Sequence, residues 1–395
     1  MEKGKKKVEL STLVIISGVM TIVGFIAGTR KAEFYNLLAP VFGLQSQAGE
    51  LDLSSVQNVY KTLAEKFDGD LDQAKLVDGA SRGLVEAAGD DYTMYMDAEE
   101  AEEFNKSLEG DIGAGIGVEV GVRNNLPTVV RVLKNNSAVK AGVLAGDVIV
   151  EVNGESTEDL TIEKITSKIK GEAGTTVKIK VLRGQEEKEF SITRATISNP
   201  SVELEIRENV AIMAISRFDG ETGTLARKYA QQIKNQGISK LVLDLRGNGG
   251  GYVTAAQAVA SLWLNEKSLI VTEKKGTKVI DEVRATGDNV LADTETIVLA
   301  DESSASASEI VVGALKDNKK AQIYGVKTYG KGSVQEPIDM KNGALLKVTI
   351  AKWYTPSGKN IDKEGIAPDK TVEITAEQIN RGEDPQLSEA IKSLK

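Results

Sequence analysis

From Val210 onward, apolar runs of strand length alternate with stretches of helical spacing, which confines this part of the chain to a sheet with helices packed on its faces. Val210–Ile215 reads as a strand. Leu225, Tyr229 and Ile233 mark one face of a helix that Gly237 ends, and Leu241–Leu245 is the next strand. Val253–Leu264 follows as a helix, Ile297–Ala300 as a strand, and Asp301–Ser304 leads into a helix that runs to Leu315. The chain has 395 residues, 41% of them apolar, and no cysteine, so apolar cores rather than disulfides must hold two or three domains together.

The upstream chain has a different texture. Met1–Lys7 holds four lysines against one glutamate, and Leu10–Thr29 then runs twenty residues without a charge, about 30 Å as a helix. Residues 1–30 are therefore expected to be a basic stretch and a transmembrane anchor. The lysines ahead of the span outnumber Arg30 and Lys31 behind it, which puts the amino terminus in the cytoplasm and the rest of the chain outside the membrane. Residues 31–108 read as a helical segment for packing or self-association, with Val56, Val59, Tyr60, Leu63 and Phe67 on one face and an Asp97/Glu100 capping box opening a further helix. Over 109–195, short apolar runs punctuated by Gly and Asn give a β-rich domain of about eighty residues. Its boundaries fall at Gly110–Gly113 and near Ser198–Pro200. Residues 196–395 form the α/β part with a helical tail.

The net charge of -9 is spread over both signs, with no basic stretch interleaved with aromatics, so nucleic acid is not expected as a partner. The chain also lacks histidine, which together with the absence of cysteine removes most zinc sites. No acidic calcium-type loop is present, and no metal or cofactor is expected.

Two segments carry the chemistry. They are Ser303-Ser304-Ala305-Ser306-Ala307-Ser308-Glu309 and Gly330-Lys331-Gly332-Ser333-Val334-Gln335. Without imidazole or thiol, the nucleophile must be a hydroxyl or water and the base must be something other than histidine, which leaves a serine activated by a lysine. Ser306 falls at the start of a helix, where unpaired N–H groups and the helix dipole favour an oxyanion. The plainer reading is that serines before a helix are N-caps. An ordinary lysine has a pKa of about 10.4, so a neutral Lys331 near pH 7 requires about 4–5 kcal/mol of disfavoured charge, which burial beside Tyr329 and Val334 would supply. The plainer reading is again a lysine on an exposed glycine turn. Gly325–Lys331 also spells most of a phosphate-binding loop, but Gly332 stands where that loop needs Ser or Thr for magnesium. Asp244–Gly251 closes a strand with an open glycine backbone that either aims an N–H at an oxyanion or makes a tight connection.

Gly115-Ile116-Gly117-Val118, Ser137–Gly142 and Gly146–Gly154 together resemble a PDZ domain, which implies that Gly115, Ile116, Gly117 and Val118 present backbone N–H groups to a peptide's C-terminal carboxylate. Nearly the whole chain resembles the carboxyl-terminal processing, or tail-specific, protease family. The resemblance includes Tyr354–Gly358 and Gly365–Asp369. It implies a crotonase-like α/β serine protease core with Ser306 as nucleophile, Lys331 as base, Gln335 orienting the lysine, and the N–H groups of Gly251 and Ala307 as the oxyanion hole. It also implies a homodimer and protein substrates with free C-terminal tails. The expectation is a membrane-anchored serine endopeptidase acting on extracytoplasmic proteins. The competing class is a non-catalytic PDZ adaptor on a protease-like scaffold, against which the intact Ser306, Lys331 and Gln335 count. A PDZ-bearing trypsin-like protease is excluded by the absence of histidine.

Overall fold

The structure, a computed structural model, describes residues 51–110, 113–123, 126–158, 160–375, 377–378, 381 and 383–395. The anchor expected over residues 1–30 lies outside the described residues, and among those described no helix is long and apolar enough to cross a membrane. The chain divides into two compact units, the first ending at Val77 and the second running from Asp78 to Lys395. Helix α1 (Ser54–Lys66) buries no residue. Its expected apolar face is present but unpartnered, with Val56, Val59, Tyr60 and Phe67 all exposed. Helix α2 (Gln73–Glu86) begins after Asp72, whose carboxylate accepts the N–H groups of Ala74 and Lys75.

Strand β1 (Met94–Met96) corrects the all-helical reading of this stretch. Helix α3 (Ala98–Glu109) has the expected capping box: Asp97 accepts from the N–H of Glu99 and Glu100, and Glu100 reaches back to the N–H of Asp97. A β-rich domain follows, with β2 (Ala114–Gly115), β3 (Val118–Arg123), β4 (Leu126–Val132), α4 (Ser137–Ala141), β5 (Val148–Val152), β6 (Glu155–Ser156), α5 (Ile162–Ile169), β7 (Thr176–Arg183), β8 (Glu186–Thr193) and β9 (Ala195–Thr196). Alternation along β7 buries Val177, Ile179 and Val181, which meet Ile116, Val129, Ile149 and Ile165 in a core of their own.

The remaining elements are β10 (Val202–Arg207), β11 (Val210–Ile215), α6 (Thr222–Asn235), β12 (Lys240–Asp244), α7 (Val253–Ala260), β13 (Leu269–Lys275), β14 (Lys278–Arg284), β15 (Glu295–Ala300), α8 (Ala307–Asp317), β16 (Gln322–Gly325), β17 (Ser333–Asp339), β18 (Leu345–Tyr354), β19 (Lys370–Thr371) and α9 (Pro385–Leu394). One sheet runs β10-β11-β12-β15-β16-β19, parallel except for the edge strand β10. Its central strands are apolar on both faces because both are covered. Leu241, Leu243, Val298 and Ala300 pack against α6, α7 and α8, while Val242, Ile297 and Leu299 pack against α9. In the second, antiparallel sheet, β18 pairs with β17, β13 and β1. Strand β1, from well upstream, thus belongs to the same sheet as strands from the end of the chain.

Candidate active site

β12 and β15 are parallel neighbours, so the loops that leave their carboxyl ends emerge side by side, the usual place for a site on such a sheet. The loops are stitched together. Ser304 Oγ donates to Leu245 O at 2.8 Å, Ala305 N–H to Asn248 O at 3.0 Å, and Ser308 Oγ to the same carbonyl at 2.8 Å. The Asn248 side chain donates to Ile215 O at 2.8 Å and accepts the N–H of Gly250 at 2.9 Å, which fixes the glycine loop against β11. Ser306 caps α8 with φ 56° and ψ -114°, a region costly for a residue with a side chain, of order 1–3 kcal/mol, and typical of residues held for function.

The glycine loop runs directly beside this serine. A Cβ on Gly250 would lie 2.8 Å from that of Ser306. Gly251 has φ +142°, and a Cβ there would overlap the carbonyl of Phe218, so only glycine fits. Phe218 N–H donates to Gly250 O at 2.9 Å, and Tyr252 N–H donates to Phe218 O at 2.7 Å. Among the described residues, neither the N–H of Gly251 nor that of the fully buried Ala307 meets an acceptor. Ala307 is the first residue of α8, where N–H groups have no intrahelical partner, and with the half-buried Gly251 it leaves two free donors on the segments flanking the strained serine, which suits an incoming oxyanion.

Lys331 lies between β16 and β17, and no helix follows it, so the phosphate-loop alternative has no helix end to offer. The segment is held by Glu309, which is fully buried on α8. Its Oε1 accepts from Thr328 Oγ1 at 2.6 Å and Gly330 N–H at 2.8 Å; its Oε2 accepts from Ser306 N–H and Lys331 N–H, both at 2.9 Å. Burial pushes the Glu309 carboxyl above its usual range against the pull of these four donors. Burial likewise pushes the Lys331 ammonium down, and the Glu309 carboxylate works in the opposite direction. The Lys331 Nζ rests 5.4 Å from the centroid of the Tyr92 ring. Of the two neighbours expected to bury it, Val334 is buried but Tyr329 is 58% exposed. Tyr92 takes that place, and no spacing in the sequence linked it to Lys331.

Ser306, Lys331, Gln335 and Gly251 line one cleft of about 640 Å³, walled by Phe104, Phe218, Val253, Ile350 and Trp353. Ala307 begins α8 immediately after the serine. No hydrogen bond joins Ser306 Oγ to Lys331 Nζ among the described residues, and Gln335 donates to Ser333 O and Oγ at 3.0 and 2.6 Å rather than to the lysine. Catalytic hydrogen bonds often tighten only when substrate binds.

The four residues expected to bind a peptide lie elsewhere. Gly115, Ile116, Gly117 and Val118 line a narrow groove of about 60 Å³ between β3 and α5, closed by Leu133, Ile169 and Ile197. Gly117 has φ +82° and packs against Asn136 so tightly that a Cβ would overlap it. The Asn136 amide in turn donates to Ser198 O at 2.7 Å and accepts Ser198 N–H at 2.9 Å. The next carbonyl, that of Asn199, accepts from Arg217, beside Phe218 and the glycine loop.

Comparison with known proteins agrees with both halves of this description. Residues 209–372 match peptidase family S41, residues 114–193 match the PDZ domain, and residues 39–100 match the N-terminal domain of the activating protease CtpB. A probable CtpA-like serine protease of Staphylococcus haemolyticus is 32% identical over 93% of this chain and 74% of its own length. One from Staphylococcus aureus is 34% identical over 91% and 71%. Among solved structures, the photosystem II D1 C-terminal processing protease superposes with a TM-score of 0.52 at 25% identity, covering 82% of this chain and 87% of that one. A putative S41 protease from Bacteroides fragilis shares the fold, with a TM-score of 0.59 at 15% identity over 88% and 98% of the two chains. The shared architecture and the identity along almost the whole length place the chain in peptidase family S41, as a CtpA-like serine protease with a PDZ domain.

Proposed function

We propose that the chain cleaves proteins selected through their C-terminal tails, with Ser306 as nucleophile and Lys331 as general base. The observation that carries this reading is that a serine held in a strained conformation at the head of a buried helix shares one cleft with a half-buried lysine whose charge is disfavoured. Neutral Lys331 takes the Ser306 proton as Oγ attacks the peptide carbonyl. The N–H groups of Gly251 and Ala307 hold the oxyanion. Collapse breaks the C–N bond, and the Lys331 ammonium returns the proton to the departing amine. A water, deprotonated by Lys331, then attacks the acyl ester, releases the new carboxyl terminus and restores Ser306. In this reading Gln335 swings from Ser333 to steady the lysine amine, and the groove at Gly115–Val118 takes the substrate's terminal carboxylate.

The same reading places the catalytic part on the extracytoplasmic side of the membrane, anchored through Leu10–Thr29. It pairs two chains through the exposed apolar face of α1, and sedimentation of a Val59→Glu variant as a monomer would support that pairing. The central experiment compares the full chain with Ser306→Ala and Lys331→Ala on an unfolded protein bearing an apolar C-terminal tail. Cleavage by the parent alone supports the dyad. Cleavage by both variants moves the chemistry elsewhere, and cleavage by none favours the PDZ adaptor.

A further inference from the structure

Glu273 places a carboxylate in an apolar wall of the catalytic cleft. It lies on β13, between β18 and β14, and faces Trp353 across one ladder and Asp281 across the other. Directly opposed residues project from one face of a sheet, so the carboxylate stands beside the indole, and both line the cleft with Ser306. Val271, two residues earlier on that face, is fully buried in the core. The face therefore passes from core into cleft at position 273, where packing alone favours another apolar residue. Trp353 is 3% exposed, and its N–H donates to Gly332 O at 2.7 Å, next to Lys331. Val253, which lines the same cleft, opens α7 two residues after Gly251.

No group in the fold answers this charge. Among the described residues Glu273 makes no hydrogen bond and no ion pair. Burial pushes its carboxyl above the usual range, and Asp281 adds to that. A like charge directly across a ladder is destabilising, so the position works against the stability of the sheet. The cations nearby do not offset it. Arg217 is paired with Asp219, Lys352 with Asp362, and Lys274 lies over the Tyr354 ring. Lys331 and Lys347 line the cleft, but the one charge that acts on the Glu273 carboxyl is that of Asp281. Glu336 also lines the cleft, but it is exposed and water meets its charge. Glu273 is half-buried, so a bound substrate that displaces the water has to supply a donor or leave the carboxylate bare.

We propose that Glu273 is a specificity-determining residue of the cleft, whose carboxylate receives the basic head of a substrate lysine or arginine beside the scissile bond. The wall suits the rest of such a side chain: its methylene stem packs on Trp353, Val334 and Val253 while the cation meets the carboxylate. An aliphatic side chain makes the same stem contacts but strips water from the carboxylate, and an acidic one adds a third like charge. The inference rests on the proposed cleavage in this cleft, not on which group is the base.

The test is cleavage of tailed peptides by the full chain and by Glu273→Gln, Glu273→Lys and Ser306→Ala, with the cut mapped by mass spectrometry and thermal melts of each variant. Each peptide carries lysine, norleucine or glutamate at one of the three positions on either side of the cut. Norleucine keeps the lysine stem without its charge. The parent is expected to favour lysine over norleucine at one position by about tenfold in kcat/KM. In Glu273→Gln that ratio is expected to fall to about one, and in Glu273→Lys the glutamate peptide is expected to overtake the lysine peptide at the same position. If Glu273→Gln melts below the assay temperature, Glu273→Leu, which matches the apolar wall, serves in its place. A parent that favours lysine at no position overturns the inference, as does a lysine preference that survives Glu273→Gln. Cleavage that persists in Ser306→Ala overturns the reading of this cleft as the cutting site; cleavage lost in Ser306→Ala, with no lysine preference in the parent, overturns this inference alone.

Discussion

Glu309 accepts the backbone N–H of Lys331 at 2.9 Å, and the same carboxylate oxygen accepts the N–H of Ser306 at 2.9 Å. One buried atom therefore sets the spacing of the two loops on which the proposed chemistry depends. A glutamine of the same shape offers one oxygen and one NH₂, so one pair of these N–H donors would face another donor. Glu309→Gln is expected to cost about 1–3 kcal/mol in stability and, by shifting the loops, on the order of a hundredfold in kcat with little change in KM. Thermal melts and steady-state kinetics check both, and a variant with the parental kcat would remove Glu309 from the positioning of the site.

The depressed pKa of Lys331 has two consequences of the same sign. With Lys331 as the proposed base, activity requires its amine form, so kcat/KM is expected to rise with pH through the lysine's pKa, which lies below its ordinary value, and to fall as pH drops through it. Stability follows, because between the folded and unfolded pKa values the unfolded chain binds more protons and the folded state gains as pH rises. Lys331→Met is therefore expected to be inactive yet more stable than the parent at neutral pH, by about 1 kcal/mol once partial exposure to water is allowed for, with the gain shrinking toward pH 10. A Tm that falls at every pH would contradict the burial argument.

Gly251→Ala tests the loop facing the nucleophile. The added methyl meets the carbonyl of Phe218 and an L residue resists φ +142°, so the N–H must turn away from Ser306. Loss of one oxyanion donor costs about 10²–10³ in kcat. Kinetics on a short untailed peptide isolate this step from tail binding; undiminished kcat there would place the oxyanion elsewhere.

Gly117→Val tests the groove of the PDZ domain. The new side chain overlaps Asn136 at the end of the groove, so it disturbs the groove itself. Cleavage of tailed substrates is expected to fall about tenfold or more while an untailed peptide is cut as before. Equal effects on both substrates would argue against tail selection by this groove.

Local patterns carried much of this in the sequence. The central parallel strands were legible because both their faces are buried, which leaves unbroken apolar runs such as Leu241–Leu243 and Ile297–Ala300. The loops bearing Gly251, Ser306 and Lys331 were legible as contiguous motifs. The environment of the lysine was not, because it is built from residues distant in sequence. Tyr92 and Phe104 come from the segment ahead of the PDZ domain, and Met94–Met96 is too short to show a strand period. The apolar stripe of α1 was read correctly as a stripe, but a stripe does not say what covers it.

Strand β1 precedes the PDZ domain in the chain and pairs with β18, which is made some 250 residues after it, roughly ten seconds or more of translation. During that interval the sheet that walls the cleft has no partner for its first strand, while every strand of the PDZ domain emerges. The PDZ domain is thus complete before the peptidase domain can close its second sheet, and the nascent chain finishes its smaller module first and its protease last.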